Sequence, residues 1–310
     1  MKIFLTGGSG MVGRNILEHP KAKKHEWLAP SSSELDLRDY PAVLAWLQHH
    51  QPDLVIHAAG KVGGIHANMR EPVSFLLENL DIGRNVVWAA RTACVPQLIN
   101  LASSCMYPRN VSNPLREEML MQGELEPTNE GYALAKIATV KLCEYISREN
   151  PDFQYKSLIP CNIYGPHDKF DPKYSHLLPA ILHKLHLAKT DGRQVVDVWG
   201  DGSARREFMF VGDLVDCILH ATSRFDSLPN LMNVGLGHDW TVNEYYESVA
   251  RVIGFTGHFY HDRSKPIGMA RKLLCTARLQ AWGWKATTSL DTGIKATYNH
   301  YLQHISNEQL

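Results

Sequence analysis

The chain opens with Lys2-Ile3-Phe4-Leu5-Thr6-Gly7-Gly8-Ser9-Gly10-Met11-Val12-Gly13. This stretch joins a short apolar run, typical of a buried strand, to a glycine-rich turn and a helix-like continuation. Glycine lets the backbone turn sharply and approach an anion closely, and the start of the next helix presents unpaired N–H groups. The order strand, glycine turn, helix start therefore predicts a turn that binds the pyrophosphate of a dinucleotide.

Strand-like and helix-like segments alternate after this turn. The apolar, strand-like runs cover residues 25–29, 54–59, 98–102 and 156–160. The segments with helical spacing cover residues 40–50, 73–93 and 132–148. This alternation predicts an α/β fold with a doubly wound parallel sheet of the Rossmann type. Because ligands bind such sheets at the carboxyl ends of the strands, the loops after residues 5, 59, 102 and 160 are expected to converge.

The second half of the chain is richer in loops. Residues 196–213 and 231–236 are predicted as strands or loops, and 242–253 and 291–303 as helices. We predict a dinucleotide-binding domain over residues 1–165, with returning segments near 196–236. Residues 166–310 are predicted to form a smaller, discontinuous C-terminal lobe that binds the substrate.

Composition excludes several classes of protein. The 32 basic and 32 acidic residues balance, so neither a nucleic acid nor a membrane surface is expected as a partner. We find no signal peptide and no apolar run long enough to span a membrane. The six cysteines are widely spaced without a CxxC pair, which predicts reduced thiols, no metal site and a cytoplasmic location.

The end of the second strand bears on the choice of cofactor. Sites that prefer NAD place an acidic residue there, which binds the ribose 2′-hydroxyl. Here the strand is followed by Ser31, Ser32 and Ser33, which leave room for a 2′-phosphate, and Arg14 could supply a counter-charge. This pattern favours NADP(H), although Asp36 would oppose it if the loop were short.

Tyr132 and Lys136 are four residues apart, so on a helix they lie on one face. A nearby ammonium group is expected to lower the pKa of a phenol, which then passes a proton to a carbonyl oxygen during reduction. Ser103 follows a predicted strand and adds a hydroxyl group. Together with the glycine turn, these residues predict hydride and proton chemistry on a ketone.

The glycine turn, Ser103 and the Tyr132/Lys136 pair resemble the extended short-chain dehydrogenase/reductases. Further motifs, spread in order over nearly the whole chain, resemble the GDP-L-fucose synthase family within that group. These motifs are Lys61–Ile65, Ser103–Pro108, Leu125–Glu130, Asn162–Asp168, Ser175-His176, Val198–Gly200, Arg206–Phe208 and Arg271–Leu274.

The resemblance implies an NADPH-dependent 3,5-epimerase and 4-reductase that acts on GDP-4-keto-6-deoxy-D-mannose, as a homodimer. It implies that Ser103 and Tyr132 bind the C4 oxygen, that Lys136 contacts the nicotinamide ribose, and that Cys105 and His176 are the epimerising pair. The expected cofactor contacts are Gly7, Gly10, Met11, Val12, Gly13, Arg14, Ala58, Ala59, Lys136, Pro160, Asn162, Ile163 and His176. The expected substrate contacts are Asn162, Lys184, Trp199, Arg206, Arg271 and Lys272.

Elementary chemistry agrees with this pair of activities. A ketone at C4 acidifies the hydrogens on C3 and C5, and inversion needs one group to remove a proton and another to return it from the opposite face. A thiolate and an imidazolium suit that task. Ser103 and Tyr132 can stabilise the enolate oxygen, so one site can serve both steps.

One segment departs from the family pattern Lys-Pro-Asp-Gly-Thr-Pro-Arg-Lys. This chain has Ile267 and Met269 at the acidic and threonine positions, and Cys275 where the family commonly has Asp. If this less polar wall faces the hexose, it leaves a related substrate open, either a GDP-4-keto-3,6-dideoxy sugar (the colitose pathway) or a 6-deoxy-heptose. A neutral change of the loop is the equal alternative. A nucleotide-sugar 4-epimerase or dehydratase that retains NAD, and a non-catalytic NADP(H) sensor, remain as alternatives.

Overall fold

The fold is described from a computed structural model, over residues 1–171, 175–264 and 269–308. The strands are β1 (Lys2–Thr6), β2 (Glu26–Leu28), β3 (Leu54–His57), β4 (Gln97–Leu101), β5 (Gln154–Pro160), β6 (Asn162–Tyr164), β7 (Val195–Trp199), β8 (Arg205–Arg206), β9 (Phe208–Phe210), β10 (Leu231–Val234), β11 (Trp240–Thr241), β12 (His258–Asp262) and β13 (Arg271–Lys272). The helices are α1 (Met11–Glu18), α2 (Tyr40–His50), α3 (Ile65–Arg70), α4 (Pro72–Thr92), α5 (Glu130–Glu149), α6 (Leu177–Thr190), α7 (Val211–Ser223), α8 (Val242–Ile253), α9 (Ala277–Ala281) and α10 (Leu290–Glu308).

The main sheet is parallel, with strand order β10-β5-β4-β3-β1-β2. Successive side chains of a strand point to opposite faces of the sheet, so alternate residues pack into different hydrophobic clusters, one on each face. Ile3 and Leu5 pack with Leu214 of α7 on one face, whereas Phe4 packs with Val43 of α2 and Val86 of α4 on the other. The predicted doubly wound sheet, covered on both faces, is confirmed.

A second hydrophobic cluster lies outside this sheet. It unites α6, α8 and α10 with β7, through residues such as Leu182, Val249 and Ile294. β7 pairs in parallel with β12, and its buried residues Val196 and Val198 belong to this cluster, although the returning part of the first domain was predicted near residues 196–236. The segment that does return to the main sheet is β10, which pairs with β5.

Four of the described helices were not predicted from the sequence: the short α3 and α9, and the longer α6 and α7. α6 occupies a stretch read as loop-rich because of its His and Pro residues, yet Pro179 lies in the first turn, where proline removes no helical hydrogen bond. α7 begins inside a segment predicted as strands or loops. It follows β9 directly, and its N-cap residue, Phe210, forms no side-chain cap hydrogen bond, so the sequence lacks the capping residue that usually marks a helix start.

Candidate active site

A cleft of about 1640 Å³ lies at the carboxyl ends of the main strands. The loops that follow β1, β3, β4 and β5 all contribute to its lining, as the strand order requires. A drug-sized ligand typically occupies roughly 300–1,000 Å³. The cleft is therefore large enough for a dinucleotide together with a second ligand.

The glycine turn forms the floor of one end of this cleft. Gly7 has a φ of +73°, and a Cβ atom there would lie 2.9 Å from the Cα of Ala59. A Cβ on Gly13 would lie 2.2 Å from the Gly7 carbonyl oxygen, so only glycine allows α1 to pack so closely against the turn. α1 begins at Met11 without an acidic residue in its first turn, which leaves its N-terminus suited to a phosphate.

Beyond the end of β2, the structure offers a second basic side chain besides Arg14 as a counter-charge. Arg14 donates its Nε to the Ser9 carbonyl oxygen at 3.0 Å and is not among the residues that line the cleft. Arg38 lines the cleft instead and forms a two-pronged ion pair with Asp36, with Nη2 to Oδ2 at 2.8 Å. The guanidinium lowers the pKa of Asp36 to about 2. Sequence reasoning missed Arg38, although its position two residues after the acid was a usable signal.

Ser103, Tyr132 and Lys136 lie together at the centre of the cleft. Ser103 follows β4, and its hydroxyl accepts the backbone N–H of Cys105 at 3.2 Å and shares a hydrogen bond with the Tyr132 phenol. Lys136 lies one turn further along α5, with its Nζ 5.9 Å from the centre of the Tyr132 ring. The same Nζ donates to the Leu101 carbonyl oxygen at 3.1 Å, which fixes the side chain in place.

Burial is the main influence on the pKa values of Tyr132 and Lys136. It raises the pKa of the Tyr132 phenol, with nearby Cys105 adding to the effect and the Ser103 hydrogen bond opposing it only in part. Burial also lowers the pKa of Lys136 to about 8. The prediction that Lys136 lowers the pKa of Tyr132 is therefore wrong for the protein without bound ligands. Desolvation of the phenol dominates and raises this pKa. Tyr132 is protonated at neutral pH, which is the form that can donate a proton.

Cys105 and His176 approach the same cleft from different elements. Cys105 lies in a one-turn 3-10 helix after β4, and its Sγ accepts a hydrogen bond from the Asn129 Nδ2 at 3.2 Å. The Lys272 Nζ lies 3.8 Å from the same sulfur. His176 directly precedes α6, and burial, followed by the charges of Lys272 and Lys169, lowers its pKa. The imidazole is therefore neutral at neutral pH, which corrects the expected imidazolium.

The predicted substrate contacts are not all in the cleft. Asn162, Lys184, Trp199, Arg206 and Lys272 line it. Arg271 does not; its Nε donates to the buried carboxylate of Asp239 at 2.5 Å. Neighbours on a strand point in opposite directions, so when Lys272 of β13 faces the cleft, Arg271 must face away. Every other predicted contact with the cofactor, apart from Arg14, lines the cleft.

Glu207 holds the strand that carries Lys272. Its Oε1 accepts the backbone N–H groups of Leu236 and Gly237, and its Oε2 accepts that of Leu274 at 2.9 Å. Burial raises the pKa of this carboxyl to about 7. The sequence motif around Arg206 drew attention to the segment, but this anchoring contact depends on residues far along the chain and could not be predicted.

Residues 3–235 match the NAD dependent epimerase/dehydratase family. The chain belongs to this family. Across 99% of its length it is 50% identical to the GDP-L-colitose synthase of Yersinia pseudotuberculosis, all of which is covered. It is 49% identical to the GDP-L-fucose synthase of Azorhizobium caulinodans, with 97% of this chain and 96% of that protein covered.

A solved structure of a family member has the same architecture. The GDP-L-fucose synthetase of Naegleria fowleri bound to NADP superposes with a TM-score of 0.90 at 26% identity, over 98% of this chain and 93% of that one. The resemblance drawn from the sequence motifs is confirmed. Among the described residues, no group of three His, Cys, Asp or Glu side chains could hold a metal ion, and none of the described helices could cross a membrane.

Proposed function

We propose that the protein is an NADPH-dependent 3,5-epimerase and 4-reductase that converts GDP-4-keto-6-deoxy-D-mannose to GDP-L-fucose. The observation that carries this proposal is the meeting, in one cleft, of Ser103, Tyr132 and Lys136 with Cys105 and His176. The first three residues suit reduction of a ketone, and the last two suit proton transfer at the neighbouring carbons. The relatives named GDP-L-fucose synthase support the same conclusion.

Epimerisation precedes reduction in the proposed reaction. The C4 ketone acidifies the C3 and C5 hydrogens, so Cys105 and His176 can remove a proton from one face of the ring and return one to the other. The electrons of the broken C–H bond pass to the C4 oxygen as an enolate. The hydroxyl groups of Ser103 and Tyr132 donate to that oxygen and stabilise its charge. When the proton returns to carbon, the ketone forms again with the opposite configuration.

Reduction uses the same oxygen. NADPH, when bound, supplies the hydride that reduces C4. Tyr132 donates its proton to the C4 oxygen as the carbonyl becomes an alcohol, because burial keeps the phenol protonated until negative charge develops beside it. Lys136 is fixed next to this tyrosine by the Leu101 carbonyl group, where its donor atoms can orient a ribose hydroxyl.

The function is tested by following NADPH oxidation with a small panel of GDP-4-keto sugars and identifying each product by NMR. We expect turnover of the 6-deoxyhexose substrate to a product inverted at C3 and C5. Retention of NAD after purification, with no net NADPH oxidation, would instead indicate a 4-epimerase or dehydratase. Binding of NADPH without turnover of any ketosugar would indicate a sensor.

A second candidate substrate is the corresponding 3-deoxy ketosugar, the precursor of GDP-L-colitose. It is favoured by the relative named GDP-L-colitose synthase and by Met269, which lines the cleft at the position where the family pattern has threonine. A thioether cannot donate a hydrogen bond to a sugar hydroxyl, so this wall suits a ring that lacks one. Ile267 lies outside the described residues, and Cys275 does not line the cleft. A 6-deoxy-heptose completes the panel.

Arg38 is proposed to bind the 2′-phosphate of NADP(H). It neutralises Asp36, so the acid that would favour NAD does not repel the phosphate. A hydrogen bond to a charged group contributes about 1.5–3 kcal/mol, so Arg38→Ala should raise KM for NADPH roughly 10–100-fold. KM for NADH should change little. Steady-state kinetics with both cofactors measures this, with Arg14→Ala as the matched control; a larger effect in the control would return the role to Arg14.

We propose a homodimer formed through helices α4 and α5. Leu77 and Trp88 on α4, and Leu134 and Tyr145 on α5, are large apolar side chains exposed in the single chain. Trp88→Glu should weaken dimerisation roughly 30-fold or more, since an interface tryptophan commonly contributes at least about 2 kcal/mol. Light scattering after size exclusion should then report the 35.0 kDa monomer. Val195→Glu, exposed on β7, is the control; a wild-type monomer would refute the proposal.

We propose that the enzyme is cytoplasmic and has two functional units. All six cysteines are free thiols, which supports a reducing compartment. Residues 1–165, together with the segment containing α7 and β10, are proposed as the cofactor-binding unit. The remainder of 166–310, with β7 and β12, is proposed as the substrate-binding lobe.

A further inference from the structure

Asn129 occupies the N-cap position of α5 but does not cap the helix. Asparagine is among the preferred N-cap residues, because its side-chain oxygen can accept a backbone N–H of the first turn, usually with a gain of about 1 kcal/mol. Here the side chain forms no such bond. It turns towards Cys105, and its Nδ2 donates to the sulfur at 3.2 Å. The start of α5 therefore lacks the stabilisation of a capping hydrogen bond, and the Cys105 sulfur gains a hydrogen-bond donor.

The second polar atom of the same amide also points to a ligand. The Asn129 Oδ1 is buried and has no hydrogen-bond partner among the described residues, although Asn129 lines the cleft. A buried carbonyl oxygen without a partner costs roughly 1–3 kcal/mol. A hydroxyl group on a bound sugar would satisfy it. The amide would then link the sulfur and the sugar through its two ends.

Lys272 completes the surroundings of the sulfur. Its Nζ lies 3.8 Å from the Cys105 Sγ, and its strand is held by the bond from Leu274 to Glu207. Both Lys272 and Asn129 can stabilise negative charge on the sulfur when it loses its proton. The two residues contribute differently. The short Asn129 side chain, fixed at the start of α5, donates from one direction, whereas the long, flexible Lys272 side chain supplies positive charge.

We propose that Asn129 is a positioning residue for Cys105 in the epimerisation half of the reaction, and that hydride transfer does not depend on it. The amide N–H holds the sulfur, and its oxygen holds a sugar hydroxyl, so that the ring carbon that loses or gains a proton lies next to the thiol. This inference rests on the proposed function, because it assigns Asn129 to one of the two half-reactions of that site.

The experiment measures the two half-reactions separately in Asn129→Ala. Exchange of the C3 and C5 hydrogens with deuterated water, followed by NMR with NADP⁺ present, reports proton transfer. Single-turnover oxidation of GDP-L-fucose by NADP⁺ reports hydride transfer in reverse, which needs no epimerisation. Loss of a hydrogen bond that stabilises negative charge as it develops on the sulfur predicts a roughly 10–100-fold slower exchange. Reverse hydride transfer should stay within about twofold of wild type.

Two further variants separate positioning from a structural role. Asn129→Ser keeps a short hydrogen-bond donor and should recover part of the exchange rate. Glu130→Gln changes the neighbouring exposed residue at the helix start and should leave both half-reactions unchanged. The melting temperature of Asn129→Ala should stay close to that of the wild type, because no cap bond is lost.

Each outcome decides the matter. Slower exchange with normal hydride transfer supports the inference. An equal fall in both half-reactions, or no change in either, overturns it while the wild-type enzyme still performs both steps and the proposed function stands. A wild-type protein that neither exchanges hydrogens nor transfers hydride with any GDP-4-keto sugar would remove the proposed function, and the inference with it.

Discussion

Tyr132→Phe is expected to lower NADPH oxidation with the ketosugar by roughly 10²–10⁴-fold, the usual contribution of a positioned proton donor. Exchange of the C3 or C5 hydrogens with deuterated water should remain detectable. The two activities separate because the C4 oxygen must receive a proton during reduction, whereas the enolate needs only hydrogen-bond donors. Ser103, which already bonds the phenol, remains in place as one such donor. Both rates are measured on one sample, by absorbance and by NMR.

Tyr260→Phe is the matched control for this variant, because Tyr260 is an exposed tyrosine on β12 that does not line the cleft. It should retain both activities. If Tyr132→Phe reduces the ketone at the wild-type rate, Tyr132 is not the proton donor, and the reductive part of the mechanism fails.

Cys105→Ser is expected to change which sugar is made. A serine hydroxyl is a far weaker acid than a thiol, so proton transfer at carbon should fall by roughly 10²–10⁴-fold while the reducing groups are left intact. NADPH oxidation should continue, and NMR of the product should reveal sugars that were reduced without complete epimerisation. Cys94→Ser, at an exposed cysteine, should give the wild-type product. An unchanged product from Cys105→Ser would exclude this thiol from the mechanism.

Local patterns in the sequence were sufficient for the main sheet and for the centre of the site. The glycine turn, the apolar strands and the four-residue spacing of Tyr132 and Lys136 each depend on neighbours in the chain, so they could be read directly. The structure then showed why Gly13 must be glycine, through a contact with Gly7 that has no room for a Cβ. Helix α7 was not predicted because it follows β9 directly and has Phe210, which is not a capping residue, at its N-cap.

Properties that depend on residues far apart in the chain could not be predicted from the sequence. The protonation of Tyr132 and His176 is set mainly by burial, which the sequence does not report. Arg271 was grouped with Lys272 because the two are adjacent, yet strand alternation sends them to opposite sides, and the buried carboxylate of Asp239 holds the arginine. The contact between Asn129 and Cys105 joins two segments whose spacing in the chain gives no sign of it.

The central claim is that one cleft inverts carbon centres and reduces the ketone between them. A turnover in deuterated water with GDP-4-keto-6-deoxy-D-mannose and NADPH tests it most directly. The expected product is GDP-L-fucose with solvent deuterium at both C3 and C5 and the cofactor's hydride at C4. A product reduced at C4 that carries no solvent deuterium and keeps the starting configuration at C3 and C5 would contradict it.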